Sequence, residues 1–443
     1  NLKYQDLAFK LNFPTRKAGT FSIWGLGLAD RNKVDALERS EWETMGDRSS
    51  GYNKLDKLAG GLAHKYVLDE NTYIRSSLSA TYSKDRSLAD LHTDDAIINV
   101  ADIQNSRWNL VFNAYLNGKF SPRHTNRTGI TITELKYDLD YKVSPYLGLN
   151  KPMEQISKGS GESTVLSAYS SSVINLSNNL TTSLGVTGQY FTLNKNWSIE
   201  PRVALKWKIN PAHSLAAAYG LHSRRERLDY YFVEQIINGK KESNRYLDFS
   251  KAHHFGFTYD WNINQSLHLK IEPYYQYLFH IPVEENSSFS IINYEEFYLD
   301  RILTNTKNYG IDITLEQYMK NGFYYMITAS LFKSKYRGGD RIWRNTRLDK
   351  SFLVNLLAGK EWMVGRLKQN VLSVNGRLFF QGGGRYTPVD EEKSQEEKDI
   401  VFDESKAYTK RFNPSINGDV SISFRINKKR VSHEFSLKIL NVG

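Results

Sequence analysis

A strict two-residue alternation constrains this chain more than anything else in it. From Trp197 to Ile209 the odd positions read Trp197, Ile199, Pro201, Val203, Leu205, Trp207 and Ile209. The even positions read Ser198, Glu200, Arg202, Ala204, Lys206 and Lys208. Neighbouring strand side chains point to opposite faces, so one face here is apolar and the other polar apart from one alanine. The run, about a dozen residues, exceeds the usual soluble strand of about 5–6. It meets the roughly 9–11 tilted residues a strand needs to cross a bilayer.

The pattern recurs along the chain. Trp108, Leu110, Phe112, Ala114 and Leu116 alternate with Asn109, Asn113 and Asn117, and Phe255, Phe257, Tyr259 and Trp261 with Gly256, Thr258 and Asp260. The same reading gives about eighteen strands, centred near residues 9, 24, 62, 77, 111, 134, 170, 186, 203, 219, 257, 273, 312, 328, 355, 375, 422 and 436. No helical periodicity of useful length lies between them.

The connections alternate as well. Asp69-Glu70-Asn71, Asn178-Asn179, Asn210-Pro211-Ala212-His213, Lys320-Asn321-Gly322 and Asn427-Lys428-Lys429-Arg430 are short and rich in turn residues. Between them the reading places long connections at 33–56, 85–105, 141–163, 223–249, 280–304, 336–349 and 382–411, with one short link, Asn194-Lys195-Asn196, where a long one is due. Short turns at one end and long loops at the other are the rhythm of an outer-membrane barrel. Trp108, Trp197, Trp207, Trp261 and Trp362 fall near strand ends, where amphipathic rings form interfacial girdles. The expected fold is all-β: a transmembrane antiparallel β-barrel with short periplasmic turns and long extracellular loops. A soluble sandwich or propeller also alternates, but has shorter strands and no reason to gather its long loops at one end.

Direction follows from the rhythm. The first strand runs toward a short turn and the eighteenth follows one, so this piece is expected to start and stop on the extracellular side. Closure in the periplasm then requires one strand after Gly443 and an odd number before Asn1, giving a total of about 20 or 22, since such barrels close on an even count. Residues 1–443 are therefore expected to be a single barrel domain, incomplete at both ends.

Composition agrees once the two faces are separated. The mean hydropathy of −0.53 averages an apolar and a polar face. No apolar stretch approaches the length of a membrane helix. The absence of cysteine removes disulfides, Cys-ligated metals and Cys nucleophiles. Formal charge is +11, but the basic residues are scattered singly, without the stripe or module that would point to nucleic acid.

Several stretches carry a family resemblance. They are Ala218-Tyr219-Gly220-Leu221-His222-Ser223 with Tyr230-Tyr231-Phe232; Ile271-Glu272-Pro273-Tyr274-Tyr275-Gln276-Tyr277-Leu278; and Asn308-Tyr309-Gly310-Ile311-Asp312 through Glu316. Further on come Asn321-Gly322-Phe323-Tyr324-Tyr325, Arg344-Asn345-Thr346-Arg347 and Leu357-Ala358-Gly359-Lys360-Glu361-Trp362. From about residue 190 onward the chain resembles the C-terminal barrel of TonB-dependent receptors, in the Bacteroidota style. The resemblance implies a barrel of about 22 strands around a plug. It also implies energy-coupled import of a siderophore, cobalamin, glycan or peptide. Implied partners are membrane lipid and lipopolysaccharide, TonB through an N-terminal part not in this sequence, and a surface lipoprotein. A passive porin or adhesive barrel without energy coupling is the alternative.

Candidate sites are few. Arg224, Arg225 and Arg227 with Tyr230 and Tyr231 join cations and rings near a strand end, a set suited to an anionic or sugar-like ligand. The acids Asp390, Glu391, Glu392, Glu396, Glu397, Asp399, Asp403 and Glu404 lack calcium-loop spacing. His253 and His254 are strand neighbours facing opposite ways, so they do not share a metal. Glu200, Arg202, Lys206, Lys270, Glu272, Asp312, Glu316 and Arg425 read as a charged inner wall. No catalytic motif, resident metal or cofactor is expected, and the chain is not expected to be an enzyme.

Overall fold

A computed structural model describes residues 2–442 apart from 45, 145–152, 238, 294–301 and 398–399. The strands in order are β1 (Leu2–Pro14), β2 (Thr20–Val34), β3 (Ser49–Val67), β4 (Thr72–His92), β5 (Ile97–Ser121), β6 (His124–Val143), β7 (Glu154–Asn175) and β8 (Leu180–Phe191). There follow β9 (Asn196–Lys208), β10 (His213–Arg224), β11 (Glu234–Ile237), β12 (Lys240–Ser243), β13 (Ser250–Asn262), β14 (Leu267–Val283), β15 (Ile302–Lys320) and β16 (Phe323–Arg337). The last are β17 (Trp343–Asn345), β18 (Phe352–Val364), β19 (Asn370–Gln381), β20 (Arg385–Tyr386), β21 (Lys410–Arg411), β22 (Ser415–Asn427) and β23 (Ser432–Ile439). Two short helices, α1 (Leu228–Tyr231) and α2 (Glu391–Glu397), sit in the loops.

One sheet of nineteen strands makes the barrel wall. Each long strand pairs antiparallel with the next long strand in sequence, an up-and-down meander from β1 to β23. The eighteen long strands coincide with those expected, and the nineteenth is the short β17 laid along β16. Two-stranded ribbons, β11–β12 and β20–β21, decorate the long-loop end.

Tight turns set the register. At the β15–β16 turn, Lys320 pairs with Phe323 across Asn321-Gly322. Both loop residues have positive φ (53° and 74°), the geometry whose twist matches that of the flanking strands. A Cβ on Gly322 would lie 2.2 Å from the Glu361 carbonyl oxygen, so glycine is required there.

The outward face is apolar. Trp108, Trp197, Trp207 and Trp362 are exposed large side chains, and Trp261, half-buried, stacks on His213 at 5.5 Å. Trp197 and Trp207 lie on one face of β9, ten residues apart. At about 3.3 Å per residue they are about 33 Å apart along the strand. With a tilt of about 40°, that is about 25 Å of height, the usual thickness of the apolar band.

Three expectations need correcting at the long-loop end, one of them the connection expected over 141–163, where β7 already begins at Glu154. The connection expected over 85–105 is mostly strand: β4 runs to His92 and β5 starts at Ile97, leaving 93–96 as the link. The connection expected over 33–56 shortens to 35–48 for the same reason. These extensions mix apolar and polar residues on both faces, with Leu91, Val100 and Ala101 buried, so they lack the alternation that marks the lower strands. Parts of the connections at 141–163 and 280–304, Asp399 of the acidic run and Gly443 lie outside the described residues.

Candidate functional site

The buried apolar residues gather beneath the loops rather than along the wall. The largest cluster joins Leu135, Tyr137 and Leu139 of β6 and Phe191 of β8 to Leu228, Tyr231, Phe232, Leu247 and Phe249 of the β10–β13 connection. That connection contains a run, Leu228 to Val233, apolar but for Asp229, that a solvated loop would not need. It turns through α1 and docks on the upper wall. Tyr231 is 0% exposed, and its ring meets Phe191 edge-on at 5.6 Å. The Glu226 backbone N–H donates to the Tyr231 hydroxyl at 3.1 Å, and Ser157 Oγ donates to the Asp229 carbonyl at 2.7 Å. Asn194 and Asn196, in and beside the short β8–β9 link, each donate from their side chains to the Leu247 carbonyl at 2.7 Å. The shortness of that link thus has a use: the neighbouring loop leans into the space a long loop would occupy.

This geometry divides the five residues singled out in the sequence. Tyr230 and Tyr231 are buried, so stacking on an external ligand is not open to them. Arg225 is half-buried, and burial holds its guanidinium below its ordinary value. Arg224 and Arg227 stay exposed, 3.6 Å from Glu226 and paired with Asp229 respectively. The Arg227 guanidinium also lies 5.4 Å from the Tyr230 ring centre. Burial pushes the Glu226 carboxyl up, against the Ser250 hydroxyl and Arg224 that favour its charged form. Burial also pushes the Tyr231 hydroxyl up to about 12. The exposed guanidiniums are therefore held on a rigid base.

A second cluster forms among the loops that follow β14, β16 and β19. Asp349 is fully buried and draws three cations from distant segments: Arg385 Nε at 3.2 Å, Lys333 Nζ at 4.0 Å and Arg411 at 4.0 Å. Arg344 forks the Asp340 carboxylate at 2.6 and 2.8 Å, which holds Asp340 below its ordinary value. Tyr336 donates to the Ser288 carbonyl at 2.8 Å and packs edge-on against Tyr408. These contacts tie the segments 284–293, 338–351 and 382–412 together. Within the last segment, Glu391–Glu397 forms α2 and the Asp403 carboxyl accepts from Ser405 and Lys406, which hold it at about 2. Among the described residues no group of three or more His, Asp or Glu is disposed to hold a metal ion.

The inner wall carries a third feature. Glu200 is 1% exposed, and its carboxylate accepts from Gln189 at 2.6 Å, Ser198 at 3.1 Å, Ser223 and Arg202 at 3.0 Å. It borders a cleft of about 810 Å³ lined in part by Gln189, Arg202, His222, His254 and Gln276. His254 faces inward and meets His222 of the next strand at 4.7 Å, while His253 faces outward between Tyr219 and Phe279. The cross-strand pair escapes sequence reading because its members are 32 residues apart and meet only through the β10–β13 register.

No protein-family model matches this chain, and no curated protein matches it. Solved structures do. The ferric-catecholate import receptor Fiu of E. coli K12 aligns with a TM-score of 0.70 at 10% identity, over 100% of this chain and 70% of that one. The pyoverdine outer-membrane receptor FpvA of Pseudomonas aeruginosa PAO1 aligns with a TM-score of 0.70 at 12% identity, over 100% of this chain and 67% of that one. The siderophore receptor PiuA of Acinetobacter baumannii gives 0.67 at 13% identity, over 96% and 68%. Other matched receptors are covered to about 61% of their length. The fold of this chain is thus the transmembrane antiparallel barrel of outer-membrane receptors.

Proposed function

We propose that this chain forms the wall and rim of an outer-membrane receptor. It would import a scarce solute with energy drawn from the inner membrane through TonB. The observation that carries this reading is the sheet itself: apolar outward, polar inward, with its folded loops at the end opposite the tight turns. In this reading the chain is one barrel domain, the tight turns face the periplasm and the loop end faces outward. Arg224 and Arg227 meet an anionic or sugar-like solute, while Arg225, Tyr230 and Tyr231 hold them in place. Fiu is a ferric-catecholate import receptor, FpvA a pyoverdine receptor and PiuA a siderophore receptor, which supports an iron chelate as the first solute to assay. Cobalamin, glycans and peptides follow.

Uptake measured in cells with and without TonB tests the reading. Solute accumulation should fall to background without TonB. Unchanged accumulation would reject energy coupling and leave a passive or adhesive barrel. Arg224→Ala with Arg227→Ala should weaken solute binding at the cell surface by about tenfold or more, the effect of losing about 1.4 kcal/mol or more of charged hydrogen bonding.

A further inference from the structure

The histidines of this chain divide by what their rings touch. Of the ten, His64, His92, His124, His213 and His253 each make a ring-nitrogen hydrogen bond. His268 and His280 each stand 3.1 Å from a carboxylate, and His433 is exposed on β23. That leaves His222 and His254. Among the described residues no protein group hydrogen-bonds the nitrogens of either ring. These two are also the pair that meets on the inner wall, with ring centres 4.7 Å apart and planes at 49°, beside the 810 Å³ cleft.

The register builds the meeting. β10 and β13 pair Gly220 with His254 and His222 with Ala252, so the two imidazoles are diagonal neighbours on one face. Diagonal side chains of that length reach one another across a sheet. Gly220 clears the space between them: a Cβ there would lie 2.7 Å from His222 Nε2. The His222 ring therefore folds back over the glycine, and its Nε2 lies on the side of His254. A side chain at position 220 would drive that ring away.

Two imidazoles with free nitrogens, held side by side, are a ligand pair. With a metal–nitrogen bond of about 2.1 Å, two ring centres on one ion stand about 4.5–5.2 Å apart for bond angles of about 90–109°. The observed 4.7 Å falls inside that range. The surrounding polar groups are already engaged. The Glu200 carboxylate and Arg202 pair at 3.0 Å, so their charges offset one another beside the site. Gln276, directly opposite His254, ends a ladder: Thr346 donates to Ser334 at 2.8 Å, Ser334 to Asn308 at 2.7 Å and the Asn308 amide to Gln276 Oε1 at 3.2 Å. Its oxygen engaged, Gln276 has amide N–H groups to give. That suits a water or anion on an ion rather than the ion itself.

We infer that His222 and His254 form a site for one divalent transition-metal ion (copper, nickel or zinc) on the inward face of β10 and β13. The protein supplies two nitrogens, and the remaining positions go to water or to an oxygen of a passing solute. Imidazole suits these ions, whereas calcium and magnesium prefer oxygen ligands. Affinity should follow the general order for such sites, copper above nickel and zinc. The site needs only the register of the inner wall and does not depend on energy-coupled import.

The test titrates the purified full-length protein in detergent, free of any polyhistidine tag, with copper(II), nickel, zinc and calcium salts in separate arms. Copper(II) should bind tightest, nickel and zinc more weakly, and calcium not at all. His222→Ala and His254→Ala should each weaken copper binding by about tenfold or more, since losing even an outer partner of a metal ligand costs about 10–100-fold. His433→Ala, which removes an exposed lone imidazole, should leave it unchanged. Electron paramagnetic resonance of the wild-type copper complex should show coupling to two imidazole nitrogens, and that of either single variant to one. Without metal the variants should melt as wild type does, because neither ring holds a hydrogen bond. A merely structural contact would lower that midpoint and leave copper binding unchanged. Equal copper affinity in the His222→Ala/His254→Ala double variant overturns the site, as does coupling to a single nitrogen in wild type or calcium binding with the affinity of copper. Uptake that ignores TonB rejects import and leaves the metal site standing.

Discussion

Removing the Tyr231 ring should open the rim without unfolding the wall. The ring is fully buried against Phe191, and its hydroxyl takes the Glu226 N–H at 3.1 Å. Truncating a buried aromatic to alanine costs about 3–5 kcal/mol. Tyr231→Phe keeps the ring and orphans one buried N–H, at about 1–3 kcal/mol. The barrel ladder does not pass through this residue, so the loss falls on the local equilibrium between docked and open loop. At about 1.4 kcal/mol per decade, Tyr231→Ala raises the open population by roughly 10²–10³-fold or more, and Tyr231→Phe by roughly 5–100-fold. Trypsin reads this at Lys240, Lys241 and Arg245 of the same loop, because cleavage follows the open population when reclosing is fast. Cleavage should accelerate in the order wild type, Tyr231→Phe, Tyr231→Ala, while the heat-unfolding midpoint of the barrel stays within a few degrees. Equal cleavage rates in all three would refute the docked loop. So would a collapse of the whole barrel in Tyr231→Ala.

Other predictions follow the same geometry. Val203→Arg, on the outward face between Trp197 and Trp207, should cost about 2–4 kcal/mol in urea unfolding in lipid vesicles, whereas Ala204→Arg, facing the wet interior, should cost much less; equal costs would mean the faces are assigned wrongly. Burial raises Glu226 in the folded loop, so its contribution is fully present below the ordinary value of 4.5 and is lost as pH rises through the folded value. Loop cleavage should therefore increase as pH rises above about 4.5, and Glu226→Gln should flatten that dependence. Glu200→Ala leaves Gln189, Ser198 and Ser223 without their acceptor and should lower barrel stability by about 1–3 kcal/mol, measured by thermal unfolding in detergent.

What could be read in the chain depended on whether a rule was local. The lower strands were readable because lipid on one side and water on the other imprint a two-residue period, as from Trp197 to Ile209. Above the band that imprint vanishes, so the stretch Asp85–Leu91 looked like loop although it pairs residue by residue with β3. The candidate rim residues were half readable. Arg224 and Arg227 stand exposed as their charges suggest, but Tyr230 and Tyr231 turn inward. Tyr231 packs on Phe191 of β8 in a cluster that includes Tyr137 of β6, and no spacing rule links them. The Asp349 cluster was unreadable for the same reason, since its cations come from positions 333, 385 and 411. One local clue was available: an apolar run in the middle of a supposed solvent loop signals a docked segment.

The short β8–β9 link has a practical consequence for anyone wishing to display a foreign peptide on this molecule. It is, with the β4–β5 link, one of two four-residue crossings at the loop end and would look like a harmless place to insert one. Yet Asn194 and Asn196 hold the neighbouring loop by its Leu247 carbonyl, and Lys195 between them sits at a φ of 61°. An insertion there should dislodge a segment that it does not touch in sequence. Near the tip of the β11–β12 ribbon Ile236 is exposed, and among the described residues there no such tether is made, so that ribbon should accept the same cargo with the rim intact.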